Sequence, residues 1–239
     1  MYILIIISTG LFYIAPHIPH TCINIIIGYT NTFLIGVPIF QYMDTHNGWW
    51  TQKKLKSKND SSKIVIPFYK IVPTVICNNI FGALLSYYYV KYIGKEKGFG
   101  REGEENLLIV SYQFMQLFLL FDIIFFIGHY IIHTPPLYRL IHKKHHLTFG
   151  NMAITSHYMT FSDYIIETIL PFWCSIYIIN PCFTTTLIWT IIGQINGLIT
   201  HSGYNLKWFQ SPINHYYHHT KINVNYGSGG LSRIIEKYI

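Results

Sequence analysis

Charged residues are scarce in this sequence. Asp, Glu, Lys and Arg make up 11% of the 239 residues, against about 25% in an average soluble protein. Half of the chain (51%) is hydrophobic, and mean hydropathy is +0.29. Such a chain is expected to lie partly in lipid while keeping a substantial polar part. Acidic residues are fewer than basic ones, 10 against 17, which leaves a formal charge of +7. The basic residues form no long stripe and flank apolar runs instead. Membrane topology accounts for them, and no nucleic-acid partner is expected.

Cysteine is sparse as well. Cys22, Cys77, Cys174 and Cys182 form no CxxC pair and mostly lie in apolar runs. They read as buried small hydrophobes, not as a disulfide framework or a zinc cage. No Lys or Arg precedes Lys53, so the apolar start MYILIIISTGLFYIAP lacks the positive leading region of a cleaved signal. A retained interfacial or short membrane segment is expected there. Long Gly/Ser linkers are missing, and so are internal repeats beyond two similar histidine boxes. The length fits one domain, or one bundle with appendages.

Apolar stretches recur at about the 20 residues needed to span a bilayer as a helix. They cover 23–42, 64–93 and 107–128, followed by 162–180 and 183–200, a pair broken at Asn180-Pro181. Proline stops or turns a helix, so this pair predicts a helical hairpin. Residues 53–63 hold five Lys and one Asp, which predicts a cytoplasmic loop. Residues 94–106 hold three basic and four acidic residues and exert no such pull. If 64–93 and 107–128 each cross once, everything from His129 to Lys144 is cytoplasmic. The hairpin then returns the chain to that side at His201. Trp49, Trp50 and the tyrosines near 87–92 suit the membrane–water interface.

Histidine is the abundant exception, with 13 in the chain. Eight of them form three boxes: His129 and His133 in HYIIH, His142, His145 and His146 in HKKHH, and His215, His218 and His219 in HYYHH. On a helix, residues three and four apart share a face, so each box is expected to aim its imidazoles in one direction. Neutral imidazole is a good ligand for Fe, Zn and Cu. Eight or more are too many for one tetrahedral ion and suit two adjacent metals. A single HxxxH pair is more often structural; three boxes in one chain are not. No Glu follows His129, so the HExxH base of a zinc protease is missing. His201, in THSGY, follows the hairpin where the boxes meet and joins the candidates. His157 is a further candidate, as a ligand or as a residue supporting one. His17, His20 and His46 read as interfacial.

Acidic groups near spans need partners. Asp122 lies two helical turns before His129, where a carboxylate can hold an imidazole N–H and fix its tautomer; pairing with a Lys is the alternative. Asp163 and Glu167 share a face at the start of the hairpin and either support the site or mark the interface. Asn196, Asn223 and Asn225 are weaker supporting candidates.

Together DIIFFIGHYIIH (122–133), HKKHH (142–146), HSGYNLKW (201–208) and HYYHHTKINVNYG (215–227) resemble the fatty acid hydroxylase superfamily. That superfamily includes sterol desaturases, methylsterol oxidases and cholesterol 25-hydroxylases, and the resemblance covers roughly 107–239. It implies an all-α, multi-pass transmembrane bundle with a cytosolic histidine-rich cap holding a dimetal site. The division implied is 1–106 for N-terminal membrane segments and loops and 107–239 for the catalytic domain. It further implies two iron ions, with zinc as a substitute, and O2. Electrons would come from NAD(P)H through a separate cytochrome b5 and its reductase. The box histidines and His201 would be metal ligands, and Asp122 would fill the acidic position before the first box. Many relatives carry His-Pro after the second box, where this chain has Thr160-Phe161 with His157 three residues earlier. The family often closes on Trp-Asp and Phe-Gly-Thr; LSRIIEKYI stands there instead, which predicts a minimal cap.

The implied function is hydroxylation or desaturation of a lipid, with a sterol first and a fatty-acyl or sphingolipid chain as the alternative. An unactivated C–H bond is beyond side-chain chemistry and within reach of a redox metal centre. The ligands are common to both outcomes, so substrate placement by the transmembrane walls decides between them. The implied location is the endoplasmic reticulum, with the site facing the cytosol. Two rivals from other classes are a zinc hydrolase of lipids and a metal-binding membrane protein without catalysis.

Overall fold

In the computed structural model, residues 22–55, 66–94, 106–207, 209–235 and 237–238 are described. The apolar N-terminal stretch with His17 and His20, most of the Lys-rich loop and the 95–105 loop lie outside the described residues. Among the described residues the regular structure is helical, and the only β pairing is an isolated antiparallel bridge between Lys54 and Tyr204.

Among the described residues, seven helices organise the bundle: α1 (Cys22–Thr45), α2 (Phe68–Tyr88), α3 (Leu107–Ile132), α4 (Leu170–Ile179), α5 (Phe183–Ser202), α6 (Ile213–Lys221) and α7 (Ser232–Ile235). Among the described residues, three segments are long and apolar enough to cross a membrane: Phe68–Ile93, Leu107–Ile132 and Phe161–Ile179. Their ends are written in the sequence. The Asn106 side chain accepts a hydrogen bond from the Ile109 amide at 3.0 Å and caps α3. Pro135 and Pro136 follow the other end of α3 and prevent its continuation. The expected hairpin is present. Asn180 closes α4 in the left-handed region (φ 49°), Pro181 turns the chain, and α5 runs back to Gly203 (φ 74°).

α5 is the interior helix. Thr184, Thr185, Thr186 and Thr190 are fully buried in it, a placement that unbonded hydroxyls would make costly. Thr186 Oγ1 donates to the Cys182 carbonyl (3.0 Å), and Thr190 Oγ1 donates to that of Thr186 (2.8 Å). α1 lies along one side of α5, and α3 packs against α4 and α5 on another. The outer faces of α2 and α3 are apolar and open. Ile76, Ile80 and Leu84 on one, and Leu108, Tyr112 and Met115 on the other, are each more than half exposed. Repeats at three- and four-residue spacing make these faces continuous stripes suited to lipid. Cys77 is exposed on α2, contrary to the buried place expected of it, and Cys174 and Cys182 are partly covered; these three are free thiols.

Besides the π-helical turn Tyr89–Gly94 at the end of α2, two segments near the histidines widen into π-helical turns, Tyr138–His142 and Tyr164–Ile169. Pro171 lacks the amide hydrogen that would close a regular turn onto Glu167, which favours the second one. Both turns carry residues of the histidine site.

Candidate metal centre

The three boxes and His201 converge. His129 and His133 occupy the end of α3, His142 the first π turn, and His145 and His146 the 3-10 turn His145–Leu147. His201 is on the last turn of α5, and His215, His218 and His219 are on α6. They divide into two groups whose ligand atoms lie within 4.8 Å of one another: His129, His133, His142, His146 and His218, and then His145, His201, His215 and His219. The groups touch, with the His146 and His219 rings stacked at 4.7 Å.

The expectation that each box faces one way holds for His129 and His133 but not for the two HxxHH boxes. In HKKHH, His142 and His146 enter the first group and His145 the second; in HYYHH, His215 and His219 enter the second and His218 the first. The i, i+4 pair stays together and the residue between is turned to the other side. Each HxxHH box therefore bridges both groups.

Backbone carbonyls and one carboxylate orient the rings. His129 Nδ1 donates to the Tyr226 carbonyl (2.6 Å), His218 Nδ1 to that of Val224 (2.7 Å), His201 Nδ1 to that of Gly197 (2.9 Å) and His219 Nδ1 to that of Thr148 (3.0 Å). His142 Nδ1 donates to both Asp163 oxygens at 3.0 Å. A carbonyl only accepts, so the proton of each ring sits on Nδ1 and its Nε2 presents a lone pair.

Those lone pairs face one another. His129 Nε2 and His142 Nε2 are 3.1 Å apart. His215 Nε2 stands 2.7 Å from His201 Nε2 and 2.9 Å from His219 Nε2, and its one proton can serve only one of them. Both nitrogens of half-buried His133, and Nδ1 of His146, have no hydrogen-bond partner. Buried acceptors without donors are costly, and a cation in each group would take one nitrogen of every ring. The donor set therefore fits two metal ions, one held by five imidazoles and one by four. Burial pushes His145, His146, His215 and His219 well below the ordinary imidazole value, and repulsion between neighbouring rings adds to it. Burial likewise takes His133 to about 2. These rings are held neutral, the form that binds metal.

Asp163 and Glu167, left open by the sequence, both reach the site. Asp163 is fully buried against His142, while Glu167 Oε1 is 3.0 Å from His129 Nε2 and Oε2 is 3.6 Å from His142 Nδ1. Asp122 is a correction. It touches no imidazole: its carboxylate accepts from the amide and hydroxyl of Ser228 (3.1 and 2.6 Å) and of Ser232 (2.8 Å each). It thus anchors the segment just after Tyr226, whose carbonyl orients His129. His157 belongs to neither group; its Nδ1 is 3.2 Å from Asn79 Oδ1, and its ring stacks on Phe33 at 4.6 Å. Asn225 Nδ2 donates to the Asn214 carbonyl (3.2 Å), which ties the loop after α6 to the start of that helix. Asn196 lines the adjoining cavity. The orienting carbonyls carry no side-chain signal, so nothing in the sequence marks them.

A cavity opens beside the imidazoles. His129, His145, His201 and His215 form one wall, and Phe114, Phe121, Phe125, Trp173 and Trp189 line the part between α3, α4 and α5.

The fatty acid hydroxylase family model matches residues 114–235. The chain belongs to the fatty acid hydroxylase family. The matched region contains every histidine of both groups. Among curated relatives, "Fatty acid hydroxylase domain-containing protein 2" of Homo sapiens is 30% identical over 47% of this chain and 34% of its own length. "Very-long-chain aldehyde decarbonylase GL1-8" of Oryza sativa subsp. japonica is 25% identical over 82% of this chain and 74% of its own. "Cholesterol 25-hydroxylase" of Homo sapiens is 29% identical over 51% and 48%. The chain thus spans about a third of the first relative and half of the last. No solved structure matches.

Proposed function

We propose that the chain is a membrane-embedded oxygenase that hydroxylates or desaturates a lipid, using two iron ions, O2 and electrons passed from NAD(P)H through cytochrome b5. One observation carries this: nine imidazoles form two touching groups with opposed lone pairs, and four of them, His129, His145, His201 and His215, line an aromatic cavity. Iron held there would supply the redox chemistry that an unactivated C–H bond demands. The chain's own residues do the rest. Asp163 and the carbonyls of Tyr226, Val224, Gly197 and Thr148 fix the tautomers that turn Nε2 inward. The aromatic walls exclude water and hold an apolar body against the imidazoles. Relatives include both a cholesterol 25-hydroxylase and a protein named "Fatty acid hydroxylase ahd1" of Mycosarcoma maydis, so sterols and acyl chains are both candidate substrates. We place the site on the cytosolic face of the endoplasmic reticulum, where the Lys-rich loop orients it.

One observation favours a second function. Glu167 lines the cavity beside His129, where a zinc hydrolase of lipids would need its base. The purified, metal-loaded protein with a lipid extract, reductant and O2 separates the two. Oxygenation predicts products that gain one oxygen or lose two hydrogens, and none under anaerobic conditions. Lipid cleavage without O2 would exclude the oxygenase.

A further inference from the structure

The cavity has a polar end that the metal groups do not use. Arg233 on α7 and Gln210 reach it, with Ser211 and Asn214 alongside. Gly229 makes the approach feasible. With φ +112° it adopts a backbone that side chains disfavour, and a Cβ there would stand 3.1 Å from both Arg233 Nη2 and Gln210 Nε2. Two N–H donor groups therefore converge on one small space. Gln210 Nε2 gives one proton to the Ser228 carbonyl at 2.5 Å, which fixes the amide and leaves its second proton. Ser232, next to Arg233, is held by Asp122 through its amide and hydroxyl.

Depth matters here. A Cβ at Gly230 would lie 3.0 Å from the Phe118 ring, and Phe118 is near the middle of α3, one of the spanning segments. Arg233 itself is exposed, so its guanidinium reaches the cavity from outside the packed core. Among the described residues no carboxylate forms an ion pair with Arg233. Asp122 is near, but its two oxygens already accept four hydrogen bonds from Ser228 and Ser232.

We propose that Arg233 and Gln210 form a cradle for the anionic head of an amphiphilic lipid, whose apolar chain lies along Phe114, Phe121, Phe125, Trp173 and Trp189. This rests on the oxygenase function of the same cavity and selects an acidic acyl lipid over a neutral sterol. A planar guanidinium with an adjacent amide suits a carboxylate or a phosphate, both of which accept paired hydrogen bonds. The head stands close to the metal groups, because Asn214 adjoins His215 and Gly227 adjoins Tyr226 in the chain. Carbons near the head are then those presented to the imidazoles.

The test is lipid binding by the detergent-purified, metal-loaded protein, with the polyene fluorophore cis-parinaric acid as probe at pH 8. Parinaric acid should bind about tenfold or more tightly than its methyl ester, the scale of one charge-assisted contact. Arg233→Gln should abolish that preference, Arg233→Lys should keep part of it, and Gly229→Ala should weaken acid binding alone. Metal content should stay at the wild-type level in all three. Displacement by oleate but not by oleoyl lysophosphatidate assigns the head as a carboxylate; the reverse assigns a phosphate. Equal binding of acid and ester, an unchanged preference in Arg233→Gln, or better displacement by cholesterol than by either acid overturns the cradle. Acid-selective binding without any O2-dependent turnover would keep the cradle and reject the oxygenase.

Discussion

Asp163→Asn tests whether one carboxylate sets the chemistry of the larger imidazole group. Asp163 is fully buried and takes the His142 Nδ1 proton on two oxygens, each at 3.0 Å. That contact commits the His142 Nε2 lone pair to the centre, where it meets the Nε2 atoms of His129 and His146 at 3.1 and 2.9 Å. Asn keeps the size and one acceptor but loses the charge that makes the imidazole more basic. Such changes typically weaken metal binding about 10–100-fold, or ~1.4–2.7 kcal/mol. Asp163→Ala should be worse, because a buried N–H left without a partner costs a further ~1–3 kcal/mol. His142 belongs to the five-imidazole group alone, so the loss should fall on one metal of the two. Titration against a competing chelator should show two tight sites in the wild type. In Asp163→Asn it should show one tight and one weakened site. Wild-type affinity at both sites, or equal weakening of both, would refute the assignment of Asp163 to His142 and of His142 to a separate group.

The groups should also separate by ligand removal: His218→Ala and His145→Ala, one from each group, should each bind about one metal per chain by elemental analysis, and together none. Full loading in either single variant would remove that histidine from the ligand set. Acid should destabilise the metal-free protein. His145, His146, His215 and His219 are held well below 6.5 and His157 is held at about 3. For a depressed histidine the unfolded chain takes the proton first, so stability is complete above about pH 6.5 and falls as pH drops below it. Each group contributes up to ~1.4 kcal/mol per pH unit. Thermal midpoints that stay flat from pH 7.5 to 5 would contradict the burial of these rings. Gly82→Ala should cost ~1–3 kcal/mol by overpacking, since its Cβ would press on the hydroxyl of fully buried Tyr164; an unchanged melting temperature would mean that α2 does not pack there. Asp122→Ala should loosen the 228–232 segment, seen as faster proteolysis there, while metal stoichiometry stays at two.

How much of this was legible in the sequence follows from what each signal encodes. Hydropathy located three of the five expected spans, and Asn180-Pro181 the hairpin, because burial in lipid and the missing proline N–H act on local sequence. Counting crossings predicts that the boxes meet on one side, and the boxes do meet in space. The interior role of α5 was not legible. Its threonines look like interruptions of a span until their hydroxyls are seen to bond back to carbonyls one turn earlier.

The division of each HxxHH box between two groups was also hidden, and here the misreading has a physical cause. Helical periodicity places i, i+3 and i+4 within about one-third of a turn, which suggests a single target. Two targets a few ångströms apart lie within that same arc. The i, i+4 pair can close on one ion while i+3 reaches the other, as His142, His146 and His145 do, and as His215, His219 and His218 do. Used twice, the spacing staples two metals from two independent segments, so neither group can form without the other's backbone. Asp122 was misassigned for a related reason. Two turns before His129 it shares that residue's face, but the face passes behind the segment after α6 before it reaches the imidazoles, and Ser228 and Ser232 take the carboxylate first. Periodicity gives direction along a helix; which partner is met first in that direction is a property of the fold.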